Sequence, residues 1–160
     1  KCSSVPFSIR GVVEDIRHLV RPVADYHGAV LKIDVRTEDS WEGDPRLVRR
    51  ILLNLVTNAL EAAGEGGEVT VVLEDVEGVG SGMRRLVVSD TGSGIDLERA
   101  EALLDPGDES GWRRLLDGTD GLGLLIIGRL VRAAGGSVAV EHGESGGTRF
   151  AARLPFGADA

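Results

Sequence analysis

Three short stretches of the chain combine residue types and spacings that can do chemistry. In "NLVTN", Asn54 and Asn58 stand four residues apart, which puts both amides on one face of a helix. Asn is a weak helix former, so two of them on one face of a strongly helical sequence need a reason. A neutral amide oxygen is a hard ligand suited to Mg²⁺, which keeps water and phosphate in its other positions. A polar flank facing solvent is the plainer alternative. In "SDTGSGI", Asp90 closes an apolar run and is followed by Gly92 and Gly94. Its carboxylate could accept a hydrogen bond from an exocyclic amine such as adenine N6, and the glycines, lacking Cβ, would let a flat ring approach the backbone. An Asp-initiated turn accounts for the same residues equally well. In "GTDGLGLLII", Gly118, Gly121 and Gly123 lead into a helix. Its exposed N–H groups favour phosphate, although a flexible helix start reads the same way. The pattern also resembles a dinucleotide fingerprint, but no βαβ unit surrounds it. Taken in order, the three stretches offer metal, base and phosphate contacts for one nucleotide.

The elements that must carry these residues follow from periodicity. "IRGVVEDIRHLVRPVADYHG" has a helical apolar face of Ile9, Val12, Val13, Ile16, Leu19, Val20 and Val23, with Gly28 as a C-terminal stop. "AVLKIDVR" alternates like a half-buried strand. "WEGDPRLVRRILLNLVTNALEAAG" predicts a second helix, capped by Asp44, opened by Pro45 and closed by Gly64. Leu47, Ile51, Leu52, Leu55 and Ala59 form its apolar stripe, beside the two amides. "EVTVVLEDV" and "MRRLVVSD" predict a hairpin joined by "EGVGSG". "DLERAEALLD" is compatible with a short helix, and "PGDESGWRRLLDGTD" has no period and predicts a mobile loop. "GLGLLIIGRLVRAAGG" predicts another helix, and "SVAVEHG" and "GTRFAARLP" the last two strands. The order helix, strand, helix, two strands, helix, two strands predicts a two-layer α/β sandwich. Its sheet is mixed and mostly antiparallel, with about three helices on one face.

Composition narrows the classes. The chain has 160 residues and a net charge of -8, sized for one domain with a core and poorly suited to non-specific nucleic-acid binding. The 23 glycines against five prolines cluster between apolar segments, where turns belong. A lone cysteine, Cys2, excludes an internal disulfide framework and fits a reducing, cytoplasmic setting. No apolar run is long enough to span a bilayer, so no direct membrane contact is expected. A first residue of Lys1 rather than Met suggests a piece of a longer protein.

The ordered set resembles the GHKL ATPase superfamily, and most closely the catalytic ATP-binding domain of bacterial sensor histidine kinases. "DPRLVRRILLNLVTNALEAAGEGGEVTV" resembles the N box, "DTGSGI" the G1 box, and "GLGLLIIGRLVRAAGGSVAVEHGESGGTRFAARLP" the G2 box and closing hairpin. "VPFSIRGVVEDI" resembles the segment that follows the dimerisation helices. The resemblance covers nearly the whole chain and implies the Bergerat-type ATP-binding fold. It also implies ATP and Mg²⁺ as ligands, the parent kinase's phosphoacceptor helices and a downstream response regulator as partners, and transfer of the γ-phosphoryl group to a histidine on a separate domain. Asn58 would hold the metal with Asn54 near the phosphates, and both are the catalytic candidates. Asp90, supported through water by Thr148, would bind adenine N6 with Gly92 and Gly94 lining the base. Gly121, Leu122 and Gly123 would contact the phosphates. Residues 1–8 would lead in from upstream helices, and residues from about 96 to 120 would form the ATP lid.

Where hydrolysing relatives place a water-activating Glu, this chain has Asn54, which cannot act as a general base. Phosphoryl transfer to a protein is therefore expected rather than hydrolysis, with catalysis by positioning and electrostatics. The departures from the pattern are Glu61 and Ala62 in place of a cation and an aromatic residue, Leu104 and Gly107 in place of the lid phenylalanines, and Thr119 and Asp120 before "GLG". Trp112 either anchors the lid or packs in the core. The alternative these departures support is a degenerate regulatory module acting through protein contacts. A stand-alone anti-sigma-type kinase fits less well, because the N-terminal segment reads as the continuation of an upstream helix. His18, His27 and His142 have no sequence partners that suggest catalysis, and Trp41 reads as packing.

Overall fold

The computed structural model describes residues 5–77, 82–107, 121–144 and 146–157. Four helices and seven strands occur among them: β1 (Val5–Ser8), α1 (Ile9–His27), β2 (Val30–Arg36), β3 (Ser40–Gly43), α2 (Pro45–Ala63), β4 (Glu68–Asp75), β5 (Arg84–Asp90), α3 (Leu97–Leu104), α4 (Leu122–Ala133), β6 (Ser137–His142) and β7 (Thr148–Leu154). Strands β2, β4, β5, β7 and β6 lie in that order in one sheet, and β1 pairs with β3 in a second, two-stranded one. The β2–β4 pair is parallel and the other neighbours are antiparallel. The mixed, mostly antiparallel sheet matches the sequence-based expectation, and so does the β4–β5 hairpin, in which Val71 faces Val88.

Alternation within the strands decides the layering. Val69, Val71 and Leu73 of β4, Leu86 and Val88 of β5, and Phe150, Ala152 and Leu154 of β7 are buried and belong to the hydrophobic core shared with the helices. Helix α2 runs through its middle, packing on α1, α4, β4 and β5. Its predicted boundaries hold. Asp44 accepts from the Arg46 N–H at 3.0 Å, Pro45 opens the helix and Gly64 follows it. On α1, Leu19 departs from the predicted buried face and is exposed. The seam beneath α1 is narrower than the full apolar stripe and takes Ile9, Val12, Val13, Ile16 and Val20.

The β1–β3 pair was not legible in the sequence. Trp41 of β3 is fully buried, its Nε1 donates to Thr37 Oγ1 at 3.1 Å, and the Arg84 guanidinium lies 5.7 Å from its ring centroid. Gly43 abuts Phe156, where a Cβ would stand 2.6 Å from Cδ1 of the ring. Half of the expected lead-in, Val5–Ser8, is thus a strand of this small sheet.

The first part of the expected lid, Leu97–Leu104, is helix α3, with Ala100, Leu103 and Leu104 buried. The remainder, 108–120, lies outside the described residues, and with it Trp112, Gly118, Thr119 and Asp120. Gly128 lets α4 meet the end of α3, since a Cβ there would overlap the Leu104 carbonyl. That carbonyl also accepts from the Arg132 guanidinium. Gly128→Ala is expected to destabilise the fold by about 1–3 kcal/mol through overpacking. Urea denaturation checks this: the midpoint should fall with little change in slope.

Candidate functional site

The buried side of α2 carries Val48, Ile51, Leu52, Leu55, Val56, Ala59 and Leu60. The strip this leaves is Asn54, Thr57, Asn58 and Glu61, and it forms one wall of a cavity of about 590 Å³. Facing it are Gly121, Gly123 and Leu124 at the start of α4, and Ile95, Asp96, Arg99 and Leu103 at and before α3. Val23 and His27 of α1 complete the wall. Asn54 Nδ2 donates to the Arg50 carbonyl at 2.7 Å, and Thr57 Oγ1 to that of Leu53 at 2.7 Å. Each of these bonds stays within the helix, and Asn54 keeps a second amide N–H and its Oδ1 acceptor. A Cβ on Gly123 would stand 3.9 Å from Asn58 Oδ1, so the amide of one helix and the backbone of the other meet across the cavity.

Helix α4 opens at Gly121, which has φ 89°, a left-handed conformation that favours glycine. A glycine N-cap supplies no side chain for the first N–H groups of the helix. Those donors and the positive end of the helix dipole suit an anion.

Asp90 ends β5 and is only 4% exposed. Its Oδ1 accepts from the Gly92 N–H at 2.9 Å, and the Thr148 N–H also bonds to the carboxylate. Burial pushes the carboxyl pKa up, and the two N–H donors offset this only in part. Glycine is needed around it. A Cβ on Gly92 would overlap the Ala62 carbonyl, and one on Gly147 would overlap the Asp90 carbonyl. Asp90 borders a second, shallower hollow with Thr70, Ser89, Thr91 and Arg149. Thr148 is buried and meets Asp90 through its backbone.

The structure therefore gathers Asn54, Asn58, Gly121 and Gly123 around one cavity. Asp90, Gly92, Gly94 and Thr148 lie at the neighbouring strand ends and are not among its lining residues. Leu122 is 41% exposed. The two groups are contiguous: Ile95 and Asp96 follow Gly94 directly into the cavity wall, and Gly92 backs onto Ala62 in the last turn of α2. His27 and Thr57 are wall residues that sequence reasoning did not assign, and Asp96, Arg99 and Leu103 were included only as part of the expected lid. Arg99 and Leu103 share a helix face by their spacing, a signal obscured by the weak pattern of this segment. No sequence signal carries the end of α1, with His27, to this wall.

These donors fit a nucleotide and its metal in kind. Among the described residues no three His, Cys, Asp or Glu side chains form a metal-binding group. An amide oxygen beside an anion-accepting helix start suits an ion that shares its ligands with phosphate and water.

A family profile described as "Histidine kinase-, DNA gyrase B-, and HSP90-like ATPase" matches residues 43–158. Histidine protein kinase DivJ of Caulobacter vibrioides is 33% identical over 150 residues, which are 93% of this chain and 24% of that protein. Sensor histidine kinase AruS of Pseudomonas aeruginosa is 36% identical over 153 residues, covering 92% of this chain and 15% of its own length. The chain thus spans a quarter or less of these curated relatives. Among solved structures, full-length ShkA in complex with AMPPNP superposes with a TM-score of 0.77 at 30% identity, covering 100% of this chain and 33% of that one. The nucleotide-free catalytic domain of histidine kinase ThkA gives 0.74 at 24% identity over 95% and 96% of the two chains, a likeness of fold.

The buried carboxyl carries a sign. An acid whose folded pKa is raised binds its proton more tightly when folded, so its contribution to stability falls as pH rises above the ordinary carboxylate range. Asp90→Asn should therefore gain thermal stability relative to the parent between pH of about 4 and about 7. Paired melting curves across that range check this. A gap that narrows with rising pH would contradict it.

Proposed function

This chain belongs to the histidine kinase-, DNA gyrase B- and HSP90-like ATPase family, and from that premise we propose that it is the ATP-binding catalytic domain of a sensor histidine kinase. It binds ATP with Mg²⁺ and passes the γ-phosphoryl group to a histidine on a separate dimerisation domain. The observation that carries this reading is the convergence of Asn54, Asn58, Gly121 and Gly123 on one cavity from helices far apart in sequence. Sensor kinases among the relatives support it, as does AMPPNP, an ATP analogue, in the ShkA complex.

The residues divide the work by chemistry. Asp90 accepts the adenine amine, and Gly92 and Gly94 admit the ring, with Thr148 holding the carboxylate in place. Asn58 would hold Mg²⁺ and Asn54 would lie near the phosphates. The backbone of Gly121, Leu122 and Gly123 receives phosphate oxygens. Bound Mg²⁺ supplies neutralisation of phosphate charge. In the transfer, the bond from the γ-phosphorus to the bridging oxygen breaks, a phosphorus–nitrogen bond to the acceptor imidazole forms, and ADP leaves with that oxygen. Asn54 provides no general base for water, which favours transfer over hydrolysis. Residues 1–160 act as one domain, delivered by upstream dimerisation helices, with 96–120 as the lid and a response regulator as the downstream acceptor. No helix among the described residues is long and apolar enough to cross a membrane, and we place the domain on the cytoplasmic side.

Glu61 in the cavity wall favours the second reading, a regulatory module that binds nucleotide poorly. Calorimetric titration of ATP with Mg²⁺ and with EDTA separates the two. The kinase reading expects Mg²⁺-dependent binding, and absence of binding at millimolar ATP would leave the regulatory one. Asn58→Ala should weaken the Mg²⁺ dependence; equal dependence in both proteins would remove its metal role. Asp90→Asn should weaken adenine-nucleotide binding by roughly 1.5–3 kcal/mol, the range for a hydrogen bond to a charged group. Unchanged affinity would remove the adenine role.

A further inference from the structure

The nucleotide reading leaves a charge problem in the cavity. Its acidic wall residues are Glu61 and Asp96, and Arg99 is the one permanently charged cation among the described residues that line it. A polyphosphate placed against two carboxylates needs a positive group nearby. Arg99 is positioned to be that group. A Cβ on Gly121 would stand 3.5 Å from Arg99 Nη2, so the guanidinium lies beside the residue that opens α4. Asn58 also lies near this helix start, close to Gly123.

The placement of Arg99 is built in. Asp96 caps α3 by accepting from the Arg99 N–H at 3.2 Å, which commits that carboxylate to the helix end. Leu103, one turn on, packs against Gly121. The far end of α3 is seated on Gly128 and held by Arg132. A guanidinium presents planar paired donors that match phosphate oxygens, and here it is mounted on a helix capped at its start by Asp96 and seated on α4 through its last turn.

Resting on the nucleotide reading above, we infer that Arg99 recognises the terminal phosphates and sets the preference of the cavity for a triphosphate over shorter nucleotides. It acts from α3, opposite the amide wall of α2. Loss of the guanidinium therefore costs affinity in proportion to the phosphates present and leaves the base contacts alone.

The test is calorimetric titration of ATP, ADP and adenosine, with Mg²⁺, into the 160-residue protein and into Arg99→Gln and Arg99→Lys. For Arg99→Gln, ATP affinity should fall about ten- to a hundredfold, as for a lost charge-assisted pair, ADP affinity less, and adenosine affinity not at all. Arg99→Lys should recover part of the loss. Equal losses for ATP and adenosine would mean that α3 only shapes the pocket and would overturn the inference, as would undiminished ATP affinity. Failure of the parent protein to bind ATP would strike the nucleotide reading and this inference together. ATP binding by the parent with an indifferent Arg99 would remove the inference alone.

Discussion

Helix α2 is enclosed on three sides, and that enclosure organises everything else. The sheet takes one side, α1 another and α4 a third. Each contact consumes apolar residues, and fully burying one such side chain is worth roughly 1.5–3 kcal/mol. The remaining strip is too narrow for another packing partner and carries Asn54, Thr57, Asn58 and Glu61. The polar wall of the cavity is thus what remains once the core has been satisfied, and it is held to the rigidity of the core.

The sheet then fixes what stands beside that wall. Strands β2 and β4 are parallel, so α2 crosses back over the sheet and ends just before Glu68. Asp90 pairs with Val69, which puts the end of β5 at the end of α2. Gly92 can lie against the Ala62 carbonyl only because it lacks a Cβ. The acid at this junction is held out of water at a cost, and backbone N–H groups offset that cost in part. A buried carboxylate kept in this way is the sort of group that binding sites retain against the interest of stability.

Much of this was readable from residues. Asp44 and Pro45 marked the start of α2 because capping chemistry is local. The spacing of Asn54 and Asn58 placed them together because helix geometry is local too. The β4–β5 hairpin followed from adjacent β-rich runs. What escaped the sequence is tertiary. The short strands β1 and β3 are held by Trp41, Phe156 and Arg84 rather than by periodicity. Leu19 looked buried because its spacing suits a helix face, yet the seam beneath α1 stops short of it. Arg99 and His27 reached the cavity only when α3 and α1 were packed, and sequence pattern does not encode the direction of such packing.

The division of the cavity between chain segments has a consequence for how the molecule holds together. One wall is α2, which β4 and β5 follow directly along the chain in one run. The opposite wall belongs to α3 and α4, and α4 is followed by β6 and β7 and fastened to the first run by the β5–β7 pairing. That pairing joins residues distant along the chain, where loop-closure entropy makes contacts slow to form. The cavity therefore sits on a seam closed by contacts distant along the chain. Any molecule that grips Asn58 on one side and Gly121 on the other acts as mortar across that seam, and its binding energy becomes cohesion between two halves of a fold.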